Sequence, residues 1–183
     1  DLARGQKTGL FLDHRENRRL VGGIARGRRV LNLFSYTGGF SLYAARGGAR
    51  EVVSVDSAAP AITAARDNFA LNGLPSDRHL AVTEDAFTFL ERAAAEGQRF
   101  DLVIADPPSF ARSRPQQRAA LRSYARLHAA ALAVVAPGGH YAAASCTAQV
   151  SPAEFQATLA EGAARARCRL QLVHEAGQPL DHP

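Results

Sequence analysis

The chain switches repeatedly between two periods. Short runs rich in β-branched residues alternate with stretches of helical spacing. The runs are Arg29-Val-Leu-Asn-Leu-Phe34, Glu51-Val-Val-Ser-Val55, His79 to Thr83, Phe100-Asp-Leu-Val-Ile-Ala105, His140 to Ser145 and Arg169-Leu-Gln-Leu-Val-His174. Parallel neighbours need a crossover, so this alternation predicts an α/β fold with a doubly wound, mostly parallel sheet covered by helices. Helices are expected over Asp13 to about Arg26, Phe40–Arg46, Pro60–Leu71, Ala86–Glu96, Pro115–Val135 and Pro152–Arg165, with residues 1–12 as a loop. The punctuation agrees. Gly27, Gly47-Gly48 and Asn72-Gly73 suit helix stops, Pro60 suits a first turn, and Asp85 suits an N-cap.

With 183 residues the chain is read as one domain, and its 46% apolar and 21% charged content excludes disorder. No apolar run is long enough to span a bilayer, and no secretory signal opens the chain, so no membrane partner is expected. Two cysteines exclude a disulfide scaffold and fit a reducing, cytoplasmic setting. The sequence has no Met and begins with Asp, which reads as a fragment of a longer protein. Its net charge of +5 gives weak support for a polyanionic partner; 21 of the 22 basic residues are Arg, as a GC-rich coding sequence would also give.

Ligands of such sheets bind beyond the carboxyl ends of the strands, near the point where strand order reverses. The residues just past each strand therefore carry the functional reading. Phe34-Ser35-Tyr36-Thr37-Gly38-Gly39 follows the first strand. Its glycines allow backbone to approach a ligand, although alone they suit a tight turn equally well. Asp56 ends the second strand about 18 residues later, where a carboxylate can accept from ribose hydroxyls, close to the ~20 expected of a nucleotide site. The loop departs from G-x-G-x-x-G, which disfavours NAD. Asp106-Pro107-Pro108-Ser109-Phe110 ends the fourth strand. The prolines lack amide donors, so the elbow is rigid, its carbonyls are free for a planar hydrogen-bonding group, and Phe110 is available for stacking. If the fifth strand lies beside the fourth, Cys146 faces Asp106 across about 5 Å. Cys168 reads as inert. Arg118, Arg122 and Arg126 recur every four residues, with Arg112 and Arg114 leading in. The stripe is either an RNA-phosphate contact or a solvated helix face.

Taken as a set, Gly5-Gln-Lys-Thr-Gly9 with Asp13, Leu33 to Phe40, Val55-Asp56-Ser57, Asp106 to Phe110, Ser145-Cys146, and Gly177-Gln178 with Asp181-His-Pro183 resemble one family. It is the class I S-adenosylmethionine-dependent methyltransferases typified by the large-subunit ribosomal RNA cytosine-5 methyltransferase with an N-terminal PUA domain. The likeness covers essentially the whole chain. It implies a Rossmann-like sheet, S-adenosylmethionine as cofactor and ribosomal RNA as partner. It implies that residues 34–39 hold the methionine end of the cofactor, that Asp56 with Ser57 holds its ribose, that Asp85 approaches the adenine amine, and that Asp106 touches both cofactor and target. It also implies that Cys146 is the nucleophile. Lys7, the only lysine, falls in a matching loop and is expected near the cofactor or base, with Pro107, Pro108 and Phe110 gripping the base. Two departures stand out: His14 replaces the family's usual Gln, and the chain begins after a PUA domain and stops before the last, antiparallel strand. Self-association through the missing segments stays open.

Cytosine C5 is a poor nucleophile. Addition of a thiolate to C6 raises electron density at C5, and covalent catalysis divides one hard step into easier ones. The cytosine must be flipped or single-stranded. No metal is called for. The alternatives are a guanine-N-methylating ribosomal RNA enzyme on the same fold, and a nucleotide- or RNA-binding fragment without catalysis.

Overall fold

The computed structural model describes residues 11–177 and residue 179. Five strands, β1 (Arg29–Leu33), β2 (Glu51–Asp56), β3 (His79–Thr83), β4 (Phe100–Ala105) and β5 (Val135–Ala143), form one sheet in the order β3-β2-β1-β4-β5. Every neighbouring pair is parallel. The helices are α1 (Arg15–Ile24), α2 (Gly39–Arg46), α3 (Ala59–Leu71), α4 (Ala86–Ala95), α5 (Gln117–Leu132) and α6 (Pro152–Arg165). The chain builds outward from β1 through β2 and β3, then returns to build the other way through β4 and β5. The reversal falls between β1 and β4, and in sheets of this kind ligands bind in the crevice outside the carboxyl ends at that point.

Both faces of the sheet are covered, so its central strands are apolar almost throughout. Val30, Leu102 and Ile104 point to one face, where they pack with Val21, Ala44 and Phe69 of α1, α2 and α3. Leu31, Leu33 and Val103 point to the other, toward Phe89 and Leu90 of α4 and Leu127 of α5. Each such side chain stabilises the fold by roughly 1.5–3 kcal/mol through burial. One polar chain crosses this interior: Asn32 Nδ2 donates to Ser41 Oγ at 2.9 Å, Ser41 meets Ser54 at 2.7 Å, and Ser54 meets His79 Nε2 at 2.8 Å. It ties β1, α2, β2 and β3 together. α1 lies against α2 with almost no gap, since a Cβ on Gly47 would fall 2.0 Å from the Gly22 carbonyl oxygen.

The structure corrects three boundaries. The helix expected from Pro115 to Val135 spans only Gln117–Leu132, because Pro115 lies in a 3₁₀ turn (Arg114–Gln116) and Val135 already pairs with Phe100. The fifth strand therefore starts before His140 and ends at Ala143 rather than Ser145. Pro137-Gly138-Gly139 is an irregularity inside the strand, with the next pair being Leu102 and His140. The expected sixth strand does not form. Arg169–His174 is irregular, and Leu170, Leu172 and Val173 are 47%, 64% and 75% exposed. Alternating apolar residues make a ribbon that is stable only against a ladder partner, and no described strand pairs with this segment.

Candidate active site

Beyond β1 the backbone enters the left-handed region at Phe34, Tyr36 and Gly38 (φ 55°, 48° and 82°). For the two aromatic residues this costs about 1–2 kcal/mol each. Four hydrogen bonds hold the loop there. Ser35 N–H donates to the Val55 carbonyl (3.0 Å), Gly38 N–H to the Ser35 carbonyl (2.9 Å), Tyr36 N–H to Asp56 Oδ2 (2.8 Å), and Asn68 Nδ2 to the Thr37 carbonyl (2.9 Å). A Cβ at Gly38 would lie 3.2 Å from Ala65 Cβ, so a side chain would push the loop off α3. Ser35 is buried, and its hydroxyl meets no hydrogen-bonding group among the described residues. Backbone strain and an unsatisfied buried hydroxyl coincide in this one loop.

Asp56 does structural work as well. Its Oδ1 accepts from Ala58 N–H at 2.9 Å while Oδ2 holds Tyr36. Ser57 beside it is exposed. Asp85 caps α4, accepting from Phe87 N–H at 2.9 Å and Thr88 N–H at 3.1 Å. A carboxylate offers about four acceptor positions, so both acids retain capacity toward a hydroxyl or amine.

Asp106 closes β4. His14, just ahead of α1, brings Nε2 to 3.4 Å from Asp106 Oδ2, with Asn17 Nδ2 at 3.2 Å from its Nδ1 and the Phe40 ring at 5.5 Å. Burial alone would lower the His14 pKa. The hydrogen bond and charge of Asp106, with Asp13 adding to them, outweigh that and Arg18's opposing charge, and raise it above the ordinary value. Sequence reasoning gave His14 no role. Its only signal was its departure from the family's Gln.

After Asp106, Pro107 is buried and Pro108 exposed. β5 runs beside β4 as its position suggested: Ala105 pairs with Ala143, and Ala144 N–H donates to the Ala105 carbonyl at 2.9 Å. This carries Cys146 to the same rim. The residue is exposed, and its Sγ lies 3.9 Å from the Pro107 carbonyl oxygen. The glycine loop, Asp56, Asp85, Asp106 and Cys146 thus all follow the carboxyl ends of the sheet. The Phe110 ring, expected to offer a stacking face, is half-buried and packs 4.8 Å from Tyr124. Arg118, Arg122 and Arg126 are exposed on α5, and Arg126 lies over the Phe87 ring, 3.9 Å from Glu91. Lys7 lies outside the described residues. A cavity of about 290 Å³ opens at the opposite, amino end of the strands, among Arg28, Arg50 and Asp101. Arg50 pairs with Asp101 there at 3.2 Å, and Arg28 Nη1 lies 2.8 Å from His140 Nδ1.

The profile of the S-adenosylmethionine-dependent methyltransferases matches residues 1–183. This chain belongs to that family. A relative from Deinococcus radiodurans, named ribosomal RNA large subunit methyltransferase, is 47% identical over 182 residues, covering 100% of this chain and 45% of its own. One from Photobacterium profundum, ribosomal RNA large subunit methyltransferase I, is 41% identical over 183 residues, covering 100% and 46%. The chain thus spans less than half the length of these relatives. Among solved structures, SMU.776, assigned as a methyltransferase and crystallised with SAH, superposes with a TM-score of 0.86 at 32% identity over 97% of this chain and 46% of its own. The Thermus thermophilus 16S ribosomal RNA guanine-N2 methyltransferase, crystallised with AdoMet and guanosine, gives 0.51 at 27% identity over 71% and 32%. The expected fold class and cofactor hold. No described helix is long and apolar enough to cross a membrane.

Proposed function

We propose that the chain is the catalytic part of an RNA methyltransferase that forms 5-methylcytosine in large-subunit ribosomal RNA through a covalent bond between Cys146 and cytosine C6. The observation that carries this reading is the exposed sulfur 3.9 Å from the Pro107 carbonyl, on the elbow that begins with Asp106.

The residues around the crevice fit S-adenosylmethionine. The unsatisfied Ser35 hydroxyl and the strained turn suit its polar methionine end, with Phe34 to Gly39 forming the cradle. Asp56 and Ser57 are the ribose acceptors and Asp85 the adenine contact. The cofactor supplies an electrophilic methyl group. Everything else falls to the protein. Pro107 and Pro108 present rigid carbonyls to the base, and Phe110 backs the elbow from the core. The Asp106 carboxylate accepts from the cytosine amine, or from N3 once protonated. Cys146 as thiolate forms the bond to C6, C5 is alkylated, a base takes the C5 proton, and the electron pair released expels the thiolate. Arg118, Arg122 and Arg126 hold phosphates beside the pocket.

Incubation with cofactor and ribosomal RNA carrying 5-fluorocytosine tests the reading, because fluorine at C5 blocks proton removal. A stable protein–RNA adduct is expected, absent in Cys146→Ala; methylation undiminished in Cys146→Ala would overturn the proposal. The likeness to the guanine-N2 enzyme favours a second reading, amino-group methylation at the same Asp-Pro-Pro elbow. That chemistry needs no cysteine, so the same variant separates the two.

A further inference from the structure

The stretch carrying Cys146 has left the sheet, because β5 ends at Ala143. Something other than a ladder must fix it. Tyr124, on the inner face of α5, does so from below. Its hydroxyl is 2.9 Å from Ser145 Oγ and 2.7 Å from Thr147 Oγ1, so one phenol grips the residue on each side of Cys146. Thr147 N–H closes the loop on Ser145 Oγ at 3.2 Å. Thr147 Oγ1 also accepts from the Phe110 N–H at 3.2 Å and lies 3.3 Å from Ser109 Oγ, whose own proton is better placed on the Ala111 carbonyl at 2.9 Å. One threonine hydroxyl therefore joins the nucleophile's loop to the elbow that follows Asp106.

The parts of this clasp have little freedom. Tyr124 and Thr147 are buried, at 0% and 4% exposure, so water cannot cheaply replace a lost hydroxyl. The Tyr124 ring is packed by Phe110 (4.8 Å), Phe155 (5.1 Å) and His128 (6.0 Å). Burial raises the phenol's pKa despite its hydrogen bonds to Ser145 and Thr147, which keeps it a donor.

We infer that Tyr124 and Thr147 are positioning residues that set the sulfur of Cys146 against the Asp106 elbow. This rests on Cys146 being the nucleophile. Sulfur must approach C6 of a base held by that elbow, and an error of about 1 Å in such an approach costs on the order of 100-fold in rate. The clasp joins the two loops alongside the contact of the sulfur itself.

The test uses the full chain with S-adenosylmethionine and large-subunit ribosomal RNA. Thr147→Val keeps shape and removes the hydroxyl; Thr147→Ser keeps the hydroxyl and removes the methyl; Tyr124→Phe removes the phenol oxygen and leaves the ring. Thr147→Val and Tyr124→Phe are each expected to lower kcat about 10- to 100-fold. Accumulation of the 5-fluorocytosine adduct slows in parallel, while KM for RNA, cofactor Kd and alkylation of Cys146 by iodoacetamide stay within about twofold. Thr147→Ser restores kcat to within about threefold. Unchanged kcat in Tyr124→Phe, or Thr147→Ser as slow as Thr147→Val, overturns the inference. If Thr147→Val fails to bind cofactor because it does not fold, the Tyr124→Phe result decides. Cys146→Ala distinguishes the levels: methylation surviving in that variant removes the nucleophile itself, whereas an inactive Cys146→Ala beside a fully active Tyr124→Phe removes only the clasp.

Discussion

His128 gives the fold a measurable sensitivity to acid. It lies on the inner face of α5, 1% exposed, between the rings of Tyr141 (5.7 Å) and Phe155 (5.3 Å). Gly162 of α6 closes over it so tightly that a Cβ there would fall 2.5 Å from His128 Cβ. Nδ1 meets the Tyr141 hydroxyl at 2.8 Å, and Nε2 meets no hydrogen-bonding group among the described residues. Burial pushes the pKa down from 6.5 to about 4. The sign follows from proton uptake. Below about pH 6.5 the unfolded chain binds a proton at this ring and the folded chain does not until about pH 4, so stability falls as pH drops through that window. At pH 5 the mismatch is roughly 1.5 units, which at about 1.4 kcal/mol per unit removes about 2 kcal/mol. His128→Asn keeps a polar atom toward Tyr141 and cannot titrate. It carries a packing penalty, but one that is the same at every pH. Urea unfolding of both proteins at pH 7 and pH 5 is the assay. The variant is expected to lose about 2 kcal/mol less than the wild type on acidification. Equal losses would refute the assignment of a neutral, buried imidazole.

Three further outcomes are expected. His14 should titrate above 6.5 by NMR, and Asp106→Asn should bring its pKa down; in linkage terms the pair's stabilisation is full below pH 6.5 and is lost as pH rises through the raised value. An unmoved His14 titration in Asp106→Asn would show that the pairing is absent. Ser151→Ala removes the capping box that Ser151 forms with Glu154 and should destabilise the chain by about 1 kcal/mol in thermal or urea unfolding, with cofactor affinity unchanged. Replacing Arg118, Arg122 and Arg126 by Glu should weaken RNA binding at low salt and flatten its salt dependence, read by filter binding across a salt series; an unchanged slope would assign the stripe to solvent.

The strand ends were the legible part of this sequence. Asp56, Asp106 and the glycine loop each follow an apolar run and are marked by residues that stop a strand, so local chemistry pointed to them. Asp85 was legible as a cap, and the structure shows it accepting from Phe87 and Thr88 N–H. What stayed hidden depended on three-dimensional neighbours. His14 and Asp106 lie far apart in the chain and meet only because α1 packs beside the crevice. Tyr124 reads as one more aromatic on an inner helix face, and nothing in its spacing reveals where its hydroxyl goes. The Arg169–His174 segment carries a good strand pattern, yet a pattern cannot supply the neighbour a ladder needs. The fifth strand was blurred by Pro137-Gly138-Gly139, whose turn chemistry is real but lies within the strand's span.

The close approach of Gly22 and Gly47 has a consequence far from where it occurs. His14 stands at the entrance to α1, and Gly22 lies near the helix's exit, so the rod carrying the imidazole is seated by a notch at its tail. A single methyl group added at Gly47 meets the Gly22 carbonyl, so α1 and α2 cannot both keep their places. A residue with no reactive atom of its own thereby helps to seat the helix that follows His14.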